Sequence, residues 1–301
     1  MKRILVTGGA GFVGSHLVDE LVMLGHNVTV VDDLSNGTLQ NISLVRDRIC
    51  FVQCDVSKPL LMQGDYDVIF HLACFPRSQS FVNPRRDVEV NVIGMVNVLE
   101  LARKDDAKVI FSSNSGIYDT SKIPINERTL DNPKTPYDLD KLQAENYLRL
   151  YNKTYGVKYV VFRFATVYGP RQRVSQEWKP VIMEFITKLK NREPPTIYWD
   201  GEQTRDFIFV KDIVRALVLA VDVKEAENET MILGSGKETS INELYCTVSR
   251  LMNAYIKPKR GPMQLGDIRR MLYDCRKAQR ILGWHPEVTL KQGITEILNQ
   301  T

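Results

Sequence analysis

Histidine is scarce in this chain, with four among 301 residues, and the five cysteines are odd in number. None of Cys50, Cys54, Cys74, Cys246 and Cys275 forms a CxxC pair, which argues against a zinc site or a disulfide framework; buried thiols are expected. No apolar run approaches the roughly 20 residues that cross a bilayer. The opening MKRILVTGGAG meets glycines too soon to be a signal peptide, so the expectation is a cytoplasmic protein with no membrane role. Neither sign of charge dominates: 40 Lys and Arg against 36 Asp and Glu leave +4, with no basic tract to hold nucleic acid. Internal repeats, low-complexity segments and linkers are also missing, which favours lobes that act as one unit.

What is present is a large apolar fraction, 44% of residues, arranged in short runs. KRILVT, NVTVVD, ICFVQCD, YDVIFHLA, KVIFSS and YVVFRF read as strands buried on both faces. Helical patterns lie between them: GFVGSHLVDELVMLG with Gly25 as its C′ residue, VEVNVIGMVNVLELARK, and TPYDLDKLQAENYLRLYNKTYG. This alternation predicts an α/β fold, a Rossmann-type doubly wound parallel sheet. Regularity fades after about residue 170. The expected division is therefore 1–170 as a large α/β domain and 171–301 as a smaller mixed α/β lobe, part of which returns to the large domain.

RILVTGGAGFVGSHL joins a strand, a glycine-rich turn and a helix. Gly9, Gly11 and Gly14 satisfy GxGxxG, and Gly8, Gly11 and Gly14 satisfy GxxGxxG. Small residues let the backbone approach a pyrophosphate while the helix start aims its N–H groups at it. VVDD follows about twenty residues later and sets Asp32 at the ribose hydroxyls. An acid there repels a 2′-phosphate, so NAD is expected over NADP. Asp55, ending the third strand, is placed to accept from the adenine amino group.

YxxxK is a short pattern that arises by chance, and it occurs here as Tyr118/Lys122, Tyr137/Lys141 and Tyr273/Lys277. Pro124 and the absence of periodicity put the first pair in a loop, and the third lies late in the smaller lobe. Only Tyr137 starts a convincing helix, with Thr135 as N-cap, Pro136 at N1 and Asp138 at N3. Spacing of four places Tyr137 and Lys141 on one face. A phenol acts as a base near pH 7 only if its pKa falls by about three, or ~4 kcal/mol, and Lys141 is expected to supply part of the positive charge.

With these motifs in place the chain resembles the extended short-chain dehydrogenase/reductase family, specifically its NAD-dependent nucleotide-sugar epimerases and dehydratases, of the UDP-glucose 4-epimerase kind. The likeness runs nearly end to end through TGGAGFVGSHL, VVDDLSNG, HLA, NPRRDVEVNVIG, FSSNSGIYD, TPYDLDK, RFATVYGPRQ, GEQTRDFIFVKDIV and GDIRRMLYDCRKAQRILGWHPEVTLKQGI. It implies a tightly held NAD contacted by Phe12, Val13, Asp33, Asn36, Gly37, Val56, Leu72, Ala73, Asn91 and Ser113, besides the glycines, Asp32, Asp55, Tyr137 and Lys141. It also implies a nucleoside diphosphate sugar, a UDP-hexose by preference, between the lobes, and a homodimer through the helices around 89–103 and 137–155.

In the family, the residue four before the tyrosine of FSSNSGIYD is usually a Ser or Thr that bonds the sugar hydroxyl. Here it is Asn114, which can bond a hydroxyl but not relay a proton; Ser115 is the reserve. Dehydratases of the family carry Asp-Glu where this chain has Ser115 and Gly116, so C4 epimerisation fits better than elimination. Thr166 stands where Asn is frequent and Gln264 where Arg is common. Arg205 and Asp267 keep the pattern of substrate contacts, and Arg269 or Arg270 is a candidate to compensate for Gln264. Two other readings stay open: epimerisation at another carbon or of a UDP-uronic acid, and a non-catalytic NAD-binding regulator.

Overall fold

The computed structural model describes residues 1–174, 179–263 and 268–300. All six apolar runs form strands: β1 (Arg3–Thr7), β2 (Asn27–Asp32), β3 (Ile49–Gln53), β4 (Val68–His71), β5 (Lys108–Asn114) and β6 (Tyr159–Phe164). Two short strands, β7 (Thr166–Tyr168) and β8 (Thr196–Tyr198), and β9 (Thr204–Phe209) follow. The last three are β10 (Glu229–Leu233), β11 (Glu238–Ser240) and β12 (Lys259–Gly261). The main sheet has seven strands in the order β10-β6-β5-β4-β1-β2-β3, and every pair in it is parallel. Its seventh strand, β10, comes from beyond residue 171, so the chain does return to the large sheet after building β7, β8 and β9.

The helices are α1 (Phe12–Met23), α2 (Arg77–Ser80), α3 (Pro84–Val88), α4 (Gly94–Asp105) and α5 (Pro136–Tyr155), then α6 (Val181–Lys190), α7 (Val210–Leu219), α8 (Ile241–Leu251), α9 (Arg276–Leu282) and α10 (Leu290–Gln300). Side chains alternate across each strand, so the sheet carries two cores. Ile4, Val6, Val28, Val30, Phe70, Ile110 and Phe162 pack with Leu17, Val18 and Leu21 of α1. Leu5, Val31, Ile69, Val109, Phe111 and Val161 pack with α4 and α5 through Met95, Val98, Leu99, Ala144 and Leu148. The segment read as one helix from Val88 contains a π-helical turn, Glu89–Ile93, between α3 and α4.

The strands β11, β9 and β7 form a separate three-stranded sheet, and β12 pairs with β8. Because all seven main strands run one way, their C-terminal ends lie on one edge, and the order reverses between β1 and β4. That crevice is where a doubly wound sheet binds ligands. The cysteine expectation is corrected: only Cys275 is buried, whereas Cys50, Cys74 and Cys246 are exposed and Cys54 is intermediate. Cys50 lies on the edge strand β3 and Cys246 on α8, positions that the cores leave open.

Candidate active site

The glycine turn is closed sterically. Gly8 has φ +71°, and a Cβ there would stand 2.6 Å from the Ala73 main-chain nitrogen; one on Gly14 would stand 2.1 Å from the Gly8 carbonyl oxygen. Helix α1 starts with Gly11 as N-cap and no side chain caps it. The amides of Phe12 and Val13 are thus left for an anionic group.

Asp32 ends β2 and is 6% exposed. Its Oδ2 accepts from Ala10 N at 3.0 Å and its Oδ1 from Leu34 N at 2.9 Å. Burial raises its pKa and these two amides oppose the rise. Each oxygen keeps a lone pair for a ribose hydroxyl. Gly37 closes against this carboxylate, a Cβ there falling 2.9 Å from Oδ1, and Asn36 beside it is exposed.

Asp55 is engaged by Arg86 at 2.7 Å and by Ser57 N at 2.9 Å. Burial pushes its pKa up, but Ser57 and Arg86 more than offset this and hold it below the usual value. Arg86 also lies 3.9 Å from Asp33, whose other oxygen accepts from Ser35 N at 2.9 Å. Val56 is buried against Gly94. The glycine cradle, the uncapped helix start and the acid at position 32 together fit an NAD.

At the other end, Thr135 Oγ1 accepts from Asp138 N at 3.1 Å and starts α5. Lys141, 1% exposed, donates from Nζ to the Ser112 carbonyl at 3.0 Å. Its ammonium sits 4.7 Å from the Phe111 ring centre and 5.7 Å from that of Tyr137. Burial lowers the Lys141 pKa, with Cys74, Asp87 and Glu145 acting against it.

Tyr137 keeps some solvent access in dense surroundings. Its phenol is raised well above the usual value, first by burial and then by Cys74 and Asp138; Arg77 opposes the rise. The Lys141 ammonium, the expected source of positive charge, stands 5.7 Å from the ring centre, and the Arg77 guanidinium at the start of α2 adds a second cation nearby. Of the other YxxxK pairs, Tyr118 is buried beneath the Arg163 guanidinium, 4.4 Å from its ring centre. Lys277 is tied to Thr230 O and Glu229, at 2.7 and 2.8 Å.

Asn114 Nδ2 donates to Asp138 Oδ1 at 2.5 Å and its Oδ1 accepts from Gly116 N at 3.1 Å. The other Asp138 oxygen meets Arg77 at 3.2 Å. A Cβ on Gly116 would fall 2.8 Å from Asn114 Nδ2 and 2.9 Å from Asp138 Oδ1, so this pair fills the space that a side chain at 116 would take. The neighbouring serines turn inward. Ser113 donates to Glu145 Oε1 and Ser115 to the Phe164 carbonyl, each at 2.6 Å. Glu145 in turn takes Arg163 through two bonds of 2.8 Å.

Leu72 and Ala73 follow β4, their amides bonded to Thr7. Asn91, 1% exposed, accepts from Phe75 N at 3.1 Å and donates to Asp87, tying that loop to the π turn. Thr166 pairs in register with Phe207, which puts Thr166 and Arg205 on one face of the small sheet. Arg205 donates to the carbonyls of Thr204 and Ile268 at 2.8 Å. Gln264 and Asp267 lie outside the described residues. Arg269 and Arg270 are paired with Asp200 and Glu238.

Sequence reasoning missed Cys74, Arg77, Arg86 and the Arg163–Glu145 pair, and it read Asp138 only as a capping residue. A signal existed for Arg163: an arginine inside the apolar run YVVFRF demands a buried partner. None existed for Arg77, whose partner lies 61 positions away.

The family model described as the NAD dependent epimerase/dehydratase family matches residues 4–234. The UDP-glucose 4-epimerase of Mycolicibacterium smegmatis is 36% identical over 304 residues, covering 98% of this chain and 96% of that protein. UDP-glucuronic acid decarboxylase 1 of Xenopus tropicalis is 33% identical over 307 residues, 99% of this chain and 72% of that protein. Among solved structures, the UDP-glucose 4-epimerase of Thermotoga maritima with UDP-glucose superposes with a TM-score of 0.93 at 35% identity, covering 99% of this chain and 97% of that one. A glycine cradle beside an acid-ended second strand, facing a tyrosine and lysine on one helix, is thus accompanied by likeness over almost the whole length: the chain belongs to the NAD-dependent epimerase/dehydratase family.

Proposed function

We propose that the protein inverts C4 of a UDP-hexose, with UDP-glucose and UDP-galactose as the reference pair, and that it works as a cytoplasmic homodimer. The observation that carries this reading is the placement of Tyr137 and Lys141 on the first turns of α5, with Lys141 anchored at 3.0 Å to the strand that ends in Asn114. Bound NAD supplies reversible hydride acceptance at C4. Tyr137 takes the proton of the 4-hydroxyl and returns it. Lys141 contributes positive charge that draws the phenol down from its raised value.

Asn114 keeps a second N–H and a second lone pair after its bonds to Asp138 and Gly116, enough to position O4 but not to relay a proton. Thr166 and Arg205 hold the nucleoside diphosphate, while the glycine turn, Asp32 and Asp55 hold the cofactor. Ser115 and Gly116 offer no acid and base for elimination across two carbons, which favours epimerisation. The dimer reading is supported by exposed apolar residues on α5, where Leu139, Tyr147 and Leu150 share a stripe.

The test is a proton NMR time course of UDP-galactose with purified, NAD-bound protein. Growth of the UDP-glucose anomeric signal is expected. An unchanged spectrum would overturn the reading and leave the two others: epimerisation at another carbon or of another nucleotide sugar, and a non-catalytic NAD-binding regulator.

A further inference from the structure

In a capping box the acid at N3 of a helix reaches back to the N-cap amide. Asp138 holds the N3 position of α5 after its cap Thr135, but its side chain turns away from the helix. Its Oδ1 accepts from Asn114 Nδ2 at 2.5 Å and its Oδ2 from Arg77 Nη2 at 3.2 Å. The side chain is 0% exposed, so the charge is sealed between α5 and the end of β5.

A sealed carboxylate is a poor neighbour for a base. Its field raises the Tyr137 phenol, against what proton abstraction needs, and a buried charge is costly unless it is paired. The residue that gains from it is Asn114. A free amide can turn over and exchange its oxygen for its NH2, but here the anion accepts only the NH2 end, and Gly116 N, at 3.1 Å, donates only to the oxygen. The amide is thus held in one orientation from both sides, with one N–H and one lone pair left over. Space is equally tight: a Cβ on Gly116 would lie 2.8 Å from Asn114 Nδ2 and 2.9 Å from Asp138 Oδ1. Asn114 is the last residue of β5 and is partly exposed, at the edge of the sheet where the strand ends gather.

We propose that Asp138 is a positioning residue that acts through Asn114, fixing which end of that amide meets the 4-hydroxyl of the sugar, while Arg77 balances its charge. This rests on the C4 reading for the contact between Asn114 and O4.

The test is a double-mutant cycle in kcat for C4 inversion by the NAD-bound protein, with Asp138→Ala, Asn114→Ala and the two together, thermal melting confirming that each folds. Asp138→Ala is expected to lower kcat about tenfold or more with less change in KM. It should add nothing to the loss that Asn114→Ala causes alone. Losses that multiply would overturn the proposal, because a residue that merely starts the helix acts with or without Asn114. A second measurement needs no turnover. In nitrogen-15 NMR spectra the Asn114 side-chain NH2, identified by its absence from Asn114→Ala, is expected to show one proton far downfield, as a hydrogen bond to a carboxylate requires. Asp138→Asn keeps the volume and removes the charge, and should move that proton upfield; an unmoved signal would also overturn the proposal. Failure of the natural chain to turn over UDP-glucose or UDP-galactose would count instead against the C4 reading, and the NMR signal would still decide whether Asp138 fixes Asn114.

Discussion

Replacing Tyr137 by Phe removes one oxygen from a side chain whose ring packing is otherwise kept. Turnover is expected to fall by orders of magnitude while NAD still co-purifies, as seen in the absorbance of the denatured protein; near-normal turnover would refute the role of the phenol. Asp140 offers a separate residue-scale prediction. It is 5% exposed, and burial, with Asp87 nearby, raises its pKa to about 7. A carboxylate raised above its unfolded value binds more protons when folded, so its contribution to stability is present in acid and is lost as pH rises toward 7. Asp140→Asn should therefore match the natural chain near pH 4 and be the more stable of the two at pH 8, with the gap opening between those values in urea titrations. A constant gap across the range would contradict this account.

Elements place these residues through a few buried contacts. Glu145 on α5 grips Arg163 on β6 through paired bonds of 2.8 Å, with neither side chain more than 5% exposed. Glu145→Ala leaves a buried guanidinium with Asp131 as its remaining carboxylate partner among the described residues. It should cost ~3–5 kcal/mol, measured as a drop in the denaturant midpoint at unchanged slope. The start of the same helix depends on Thr135. Thr135→Ala is expected to remove ~1 kcal/mol of stability through loss of the cap, and also to lower kcat, since Tyr137 stands two positions on. A full loss of stability with intact kcat would separate the cap from the catalytic turn.

At the scale of the whole molecule, the two cores leave a stripe of α5 without cover, where Leu139 and Leu150 are 45% and 53% exposed. If that stripe joins two copies, Leu150→Asp should convert a dimer into a monomer in sedimentation velocity. A natural chain that is already monomeric would refute the dimer.

Much of this architecture was legible in the chain. Both-face apolar runs marked six strands, and TGGAGFVGSHL followed by VVDD located the cofactor end, because strand burial and a pyrophosphate turn depend on neighbours close in sequence. Helix α5 was readable down to its cap for the same reason. The seventh strand of the main sheet could not be read, since Glu229–Leu233 becomes a strand only when β6 is there to pair with it. Nor could the network of Arg77, Asp138 and Asn114, whose members are brought together from the start of α2, from α5 and from β5. By itself the sequence determined the glycine turn, the acid-ended second strand and the capped start of α5, and so singled out the candidate Tyr137, through local spacing and sterics. Tertiary structure alone decided what surrounds that tyrosine, because charges far apart in the chain meet only once the strand ends share an edge.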